Sequence, residues 1–490
     1  MRARAHLLQC YRTTLSYTGL IFLLSGLLML TPLFALTAWP REWVYAMAFV
    51  VPALLLVTAG SGMWRIVKPE IPVTLTVQDG GVIVLLSWVT VCLFSAWPYI
   101  TVQKLSFTSA IFESVSGWTT TGLSVVDVSA APHLILLWRS ITQLAGGAGL
   151  AIIMLAAIAG PPGAGLSAAE GRTDQLVPHV RQSAKLVLYI YSGYAVTGSL
   201  AYWLAGMTPF DAINHAFAAV STGGFSTHPE SIAYWDSALI EMVTLTLMIL
   251  GNLNFLTAYL FLHGKFRAVC RNGEVRLMTV LIPVGAFLLF MLVCKGVYPG
   301  LDKTLRVAIF ETTSALTTTG FSTTEYGNWN AVGFLVLTVL MMIGGGTCST
   351  AGGIKQYRIY LLFKSLLWEL RRPFLPRTAV VQNYVWQGEL KDFISDARIR
   401  QVAVFLFLYL AIYFLGSGII AGCGYGLKES LFEFASALST VGLSVGLTNP
   451  AAPPVVLWTE TLGMFLGRLE FFTIIVSLVK IGRDSVAVVR

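Results

Sequence analysis

Long apolar runs alternate with short polar ones along all 490 residues. A helix needs about 20 apolar residues to cross the hydrocarbon core of a bilayer. Runs of that length cover residues 15–38, 43–64, 81–100, 133–158, 185–206, 236–262, 276–297, 331–346, 400–422 and 455–479. The eighth is short, is broken by glycines and resumes as 354–372. The pattern predicts an all-α polytopic membrane protein of about ten spans. The first run follows a basic tail (Arg2, Arg4, Arg12) but is longer than the apolar core of a signal peptide, and a second run follows at once, so it is expected to be a retained span.

Composition agrees. Hydrophobic residues make up 56% of the chain and charged residues 11%, against about 25% charged in soluble domains. So few charges cannot cover a fold of this size for water, which excludes a cytosolic enzyme. The net charge of +8 is informative through its placement rather than as a sign of nucleic-acid binding. With the N-terminus taken as cytoplasmic, the tail, 65–79, 163–185, 263–276, 355–400 and the C-terminus hold 24 of the 32 Lys and Arg. That is the positive-inside bias and predicts cytoplasmic termini. The six scattered cysteines form no C-x-x-C pair, so neither a disulfide framework nor a zinc site is expected.

Between alternate spans lie amphipathic segments that end in Thr/Ser/Gly clusters. Aligned on one glycine they form an internal repeat: AIFESVSGWTTTGLS (110–124), AINHAFAAVSTGGFS (212–226), AIFETTSALTTTGFS (308–322) and SLFEFASALSTVGLS (430–444). The aligned glycines are Gly122, Gly224, Gly320 and Gly442; Thr120, Thr222, Thr318 and Thr440 stand two residues before them, and Ser124, Ser226, Ser322 and Ser444 two after. Each unit reads as helix, half-helix, glycine strip, helix. Four units account for eight spans and leave an N-terminal hairpin. The expected boundaries are 1–68 for the hairpin, 69–162, 178–268, 272–372 and 398–490 for the repeats, and 373–397 for a cytoplasmic linker.

Irregular backbone at membrane depth is tolerated only inside protein or along a watery path. Four such strips in matching positions suit a single axis, where backbone carbonyls replace the hydration shell of a monovalent cation. Glycine accepts φ > 0 and lets carbonyls turn inward, and a helix that ends at the strip presents its negative dipole end to the ion. One T-x-G-[LF]-S motif is weak; four in register are specific.

The strips resemble the selectivity-filter segments of the Trk/Ktr/HKT superfamily of potassium transporters. WRSITQLAGGAG (138–149), GGGTCSTAGGIK (344–355) and LGRLEFFTIIV (466–476) resemble, in turn, the second helix of repeat one, the glycine-rich break of repeat three and the final helix with its embedded Arg. The likeness covers nearly everything from residue 81 onward, and the extra hairpin favours the bacterial Trk-type potassium uptake subunit. The resemblance implies K+ uptake across the bacterial inner membrane. It implies K+ held by Thr120, Thr121, Gly122, Thr222, Gly223, Gly224, Thr318, Thr319, Gly320, Thr440, Val441 and Gly442. It implies a homodimer controlled by a cytosolic TrkA-like nucleotide-binding ring, with ATP, ADP or NAD bound only by that partner and no cofactor on this chain. Some HKT relatives that prefer sodium carry serine at the first glycine; here it is Gly122.

The segment Gly344, Gly345, Gly346, Thr347, Cys348, Ser349, Thr350, Ala351, Gly352, Gly353 has five glycines in ten residues and cannot be an ordinary helix. It reads as an intramembrane gating loop or as a kink for close packing; relatives often have Gly where Cys348 and Ala351 stand. Arg468 falls within an apolar run, where a charge usually faces the bundle interior or water. It reads as a positive barrier in the pore, as the resemblance implies, or as a tie between loops. Glu113, Glu311, Glu433 and, in repeat two, His215 share one half-helix position; bracing of loop amides is favoured over a direct field on the ion. Asp127, Glu230 and Glu325 follow the strips as candidates to concentrate cations at the mouth. Arg139 and Gln143, one turn apart, are expected to brace the filter or reach the outer interface. The basic stretch 355–400 suits docking of a cytosolic partner or of anionic lipid.

Two other classes compete. An ion-coupled symporter predicts paired carboxylates at the midplane, and the main intramembrane acids are Glu241 and Glu470. A membrane enzyme predicts catalytic or phosphate-binding motifs; no H-E-x-x-H, nucleophile elbow or P-loop occurs.

Overall fold

A computed structural model of the chain describes residues 2–67, 76–149, 180–376, 382–387, 390–469 and 471–489. The end of the expected 133–158 span, the boundaries at 69, 162 and 178, most of the 163–185 stretch and Glu470 lie outside these residues. Among the described residues, five helical runs are long and apolar enough to cross a membrane: Leu7–Thr37, Pro40–Ile66, Gln78–Thr101, Gly273–Cys294 and Asp396–Gly422. Val180–Leu204 is a sixth long helix, in the place of the expected 185–206 span.

Two runs expected as straight spans are bent. Ala238–Asn252 and Phe255–Leu262 meet at 117°, and Pro454–Leu469 and Phe471–Val486 are inclined at 97°. The first bend follows from its sequence, Gly251-Asn252-Leu253-Asn254. Asn254 caps the second half by accepting from the Leu256 N–H at 2.8 Å. The helix groups freed at the break find partners in the glycine-rich segment: Gly346 N–H donates to Asn252 O, Thr350 N–H to Gly251 O, and Phe255 N–H to Cys348 O. Two broken helices thus satisfy each other's backbone where lipid offers no hydrogen bonds.

The first two helices, Arg2–Met29 and Ala46–Ile66, pack through small residues. Gly19 and Gly60 face one another so closely that a Cβ on either collides with the other's carbonyl, the close approach that drives apolar helix pairing in lipid. The tip of this hairpin also fixes the next repeat. Glu42 accepts from the His133 and Leu134 N–H groups at 2.9 and 3.0 Å, satisfying the orphan donors at the start of His133–Ala148, while Trp39 stacks on His133 at 4.1 Å.

The membrane body is helical, as expected. The linker adds a short antiparallel pair, Tyr384–Gln387 with Leu390–Phe393, whose aromatic and β-branched residues suit strands. Arg398 holds it through Asp392 at 2.9 Å.

Repeats two and three are joined by a charge pair. Arg306, on Leu301–Leu316, grips Glu241, on Ala238–Asn252, with Nε and Nη2 at 2.9 and 2.6 Å; the Glu241 side chain is 4% exposed. Removing one partner of a buried pair leaves the other uncompensated, at a cost of about 3–5 kcal/mol. Arg306 is itself 21% exposed, so Arg306→Ala is expected near the lower end, about 3 kcal/mol. Thermal unfolding in detergent checks this, and Glu241→Gln/Arg306→Ala should recover part of the loss.

Candidate functional site

Four half-helices, Phe107–Trp118, Pro209–Val220, Leu301–Leu316 and Leu427–Leu438, lead into the four strips. Their starts are polar: Ser106 and Thr208 cap the first two by accepting from Ser109 and Asp211 N–H groups. Their ends share one geometry. Thr120 N–H bonds Gly117 O and Thr121 N–H bonds Ser116 O, and the same pair recurs from Thr222 and Gly223 to Ala219 and Ala218, from Thr318 and Thr319 to Ala315 and Ser314, and from Thr440 and Val441 to Ala437 and Ser436. This is the Schellman termination, which favours glycine at its left-handed position. Here all four left-handed residues are threonines, with φ between 51° and 55°. Left-handed backbone costs a side-chain-bearing residue roughly 1–2 kcal/mol, so four threonines there point to a use for the hydroxyl.

The strip glycines follow at φ 96°, 73°, 83° and 99°. A Cβ on Gly122 would strike Gly223 O, one on Gly224 would strike Thr319 O, one on Gly320 Val441 O, and one on Gly442 Thr121 O. The order runs from each repeat to the next and returns from the fourth to the first. The strips therefore close a ring in which four glycines alternate with four carbonyl oxygens. The ring is not fourfold equal: Gln143 Nε2 donates to Gly223 O at 2.6 Å, while its Oε1 accepts from Phe225 N–H.

Behind the ring, the shared half-helix position braces the chain after each glycine. Glu113 accepts from Ser124 and from Val125 N–H. Glu311 accepts from Thr323 and Tyr326, and Glu433 from Ser444, Val445 and Thr448. His215 pairs with Ser226. Arg139 clamps two repeats together, donating to Glu113, Ser124 and Ser226 O at 2.8–3.0 Å and covering Phe225. Arg139 and Gln143 thus brace the strips, one of the two expectations for them.

On one side of the ring lies a cavity of about 960 Å³, lined by all four glycines and by Asp127, Glu230 and Glu325. Asp127 is held below the usual carboxylate range by hydrogen bonds from Ser129. On the other side the segment 344–353 lies against the threonines. Gly352 N–H donates to Thr318 Oγ1 at 2.7 Å, Thr350 Oγ1 meets Thr222 Oγ1 at 3.2 Å, and Gly352 abuts Thr440 Oγ1. The hydroxyls of Thr120 and Thr440 are buried and make no hydrogen bond to the described residues.

The segment is fastened from several directions. Thr350 Oγ1 also reaches Val220 O and Gly251 O. Glu274 accepts from Thr347 N–H and Oγ1, both at 2.7 Å. Gln356 Nε2 holds Gly344 O. Ala351 fills the space that Gly345 leaves by lacking a Cβ, and Cys348 sits at φ 50°, a position easier for glycine. Beneath the segment a cavity of about 40 Å³ is lined by Cys348, Gly352, Gly353, Lys355 and Arg468.

Arg468 is not at mid-helix, as the apolar run suggested. It stands one residue from the end of Pro454–Leu469 and donates to Thr350 O and Gly146 O, both at 2.6 Å. It both lines the cavity and ties the segment to repeat one. Asn252, Asn254 and Glu274 were not anticipated as part of this site. The signal for the first two was Gly-Asn-Leu-Asn inside an otherwise apolar run; Glu274, in a basic loop, gave none.

Gly352→Ala is expected to push the segment off the threonines, since its Cβ would overlap Thr440 Oγ1 and Ser439 O. Cys348 should then react several-fold faster with a thiol reagent, read site by site by mass spectrometry. An unchanged rate would mean that the contact does not hold the segment.

Comparisons place this architecture. A family model described as TrkH, cation transport protein, matches residues 47–486. An uncharacterised cation transporter of Methanocaldococcus jannaschii is 30% identical over 95% of this chain and 96% of its own length. The Trk system potassium uptake protein TrkH of Halomonas elongata is 31% identical over 95% and 98%. The crystal structure of the potassium transporter TrkH from Vibrio parahaemolyticus superposes with a TM-score of 0.81 at 29% identity, covering 95% of this chain and 98% of that one. The chain belongs to the TrkH family of cation transport proteins.

Proposed function

We propose that this chain takes up potassium through the axis enclosed by its four strips. The observation that carries the reading is the closed cycle of glycines and carbonyls, Gly122 to Gly223, Gly224 to Thr319, Gly320 to Val441 and Gly442 to Thr121. It gathers four carbonyl oxygens into one closed ring, at the negative ends of four half-helices. The partnerless hydroxyls of Thr120 and Thr440 add oxygen ligands below. The relatives named potassium uptake proteins support K+ as the ion.

In this reading the filter is Thr120–Gly122, Thr222–Gly224, Thr318–Gly320 and Thr440–Gly442. Residues 344–353 are the gate, closed here against the filter threonines, and Arg468 is the charge that holds it closed and opposes cations below. The parts are the hairpin 1–68, the repeats 69–162, 178–268, 272–372 and 398–490, and the linker 373–397. The basic excess of the tail, of 263–276 and of 355–400 sets these at the cytoplasmic face of the inner membrane. Two chains pair, and a nucleotide-binding ring acts on the 355–400 face; both rest on the family resemblance. In this reading flux follows the electrochemical gradient, which is supported by the pairing of Glu241 with Arg306.

Purified chain in liposomes, with K+ on one side and Na+ on the other, tests this. Wild type should prefer K+. Gly122→Ser forces a side chain onto Gly223 O and should lower the preference about tenfold or more, equivalent to about 1.4 kcal/mol. Selectivity untouched by the change would remove the strips from the filter role. Flux that appears only with a proton or sodium gradient would establish the coupled reading instead.

A further inference from the structure

The acid at the shared half-helix position has a different counterpart in each repeat. Glu113 has Arg139 at 2.8 Å, repeat two carries a histidine, and Glu311 has the Tyr326 hydroxyl. Behind the fourth strip Glu433 has a second acid. Glu460, on Pro454–Leu469 and fully buried, meets Thr448 Oγ1 at 3.0 Å through Oε2. Its other oxygen has no hydrogen-bond partner among the described residues.

The hydrogen-bond count fixes the proton. Glu433 Oε1 accepts from Ser444 Oγ at 2.6 Å, Thr448 N–H at 3.1 Å and Thr448 Oγ1 at 2.6 Å, and Oε2 accepts from Val445 N–H at 3.0 Å. A carboxyl surrounded by four donors acts as an acceptor. The single Thr448 hydroxyl hydrogen is spent on the shorter contact, to Glu433. Toward Glu460 the hydroxyl therefore offers only a lone pair, so Glu460 must be the donor. A buried carboxylate with neither cation nor donors is too costly to persist and takes up a proton instead.

We infer that Glu460 is a protonated, neutral acid that positions the fourth strip by donating to Thr448, which in turn donates to Glu433. Glu460 touches no ion. It acts through Thr448 to set the loop 444–448 that follows Gly442, so it is a positioning residue for the filter. This deepens the filter reading and depends on it for any effect on selectivity; its protonation does not.

Infrared spectra of the full chain in lipid test the inference. Wild type minus Glu460→Gln should show loss of one protonated-carboxyl C=O band that resists exchange in D2O, with no such loss for the exposed control Glu429→Gln. In Thr448→Val the band should move to higher frequency, as the acid loses its acceptor. The glutamine amide can donate to Thr448, so Glu460→Gln should keep the K+/Na+ preference in liposomes within twofold, whereas Glu460→Leu should erode it several-fold. Absence of a protonated band assignable to Glu460, by either its loss in Glu460→Gln or its shift in Thr448→Val, overturns the inference. If the band is lost but Glu460→Leu keeps full preference, the positioning role fails while the protonation stands. Erosion in Glu460→Leu without any selectivity change in Gly122→Ser would instead count against the filter assignment.

Discussion

The structure depends on one constraint: backbone that leaves the helix at membrane depth must find its hydrogen bonds inside the protein or along a watery path. The chain leaves the helix in at least six places there, at the four strips, at 252–254 and at 344–353, and each finds its partners within the protein. The strips turn their N–H groups back onto their own half-helices, which leaves each strip's carbonyl to meet the glycine of the preceding strip around the ring. The two broken helices exchange bonds directly. Since Thr222 and Thr318 hydrogen-bond Thr350 and Gly352, the ring and the loop beneath it form one connected unit.

Strain concentrates at the same place. Four left-handed threonines cost roughly 1–2 kcal/mol each and persist because surrounding bonds over-determine them. Two of their hydroxyls hydrogen-bond the segment 344–353, and two are buried without a hydrogen-bond partner among the described residues. That asymmetry, together with Gln143 on the second strip and the neutral acid behind the fourth, makes four similar sequences into four unequal walls. Similar backbone and dissimilar electrostatics can therefore coexist in one chain, which a ring of identical subunits does not allow.

Much of this was legible in the sequence because the signals were local and repeated. Apolar length gave the helices, and the fourfold T-x-G register gave the strips and their half-helices. The five glycines of 344–353 marked the break. What escaped was set by contacts distant in sequence. The 117° bend needs Asn252 and Asn254 to meet a segment nearly a hundred residues away. Arg468 looked like a mid-helix charge because hydropathy does not register the end of Pro454–Leu469. The pairing of 384–387 with 390–393 and the role of Glu460 depend on neighbours that only the fold supplies.

The most direct test of the account is the location of the ion. Crystals or vitrified particles prepared in Rb+ or Tl+ should show density on the axis level with the carbonyls of Thr121, Gly223, Thr319 and Val441, and that density should disappear in Gly122→Ser. Ordered cation density elsewhere in the bundle, with the axis at that level empty, would contradict the central claim.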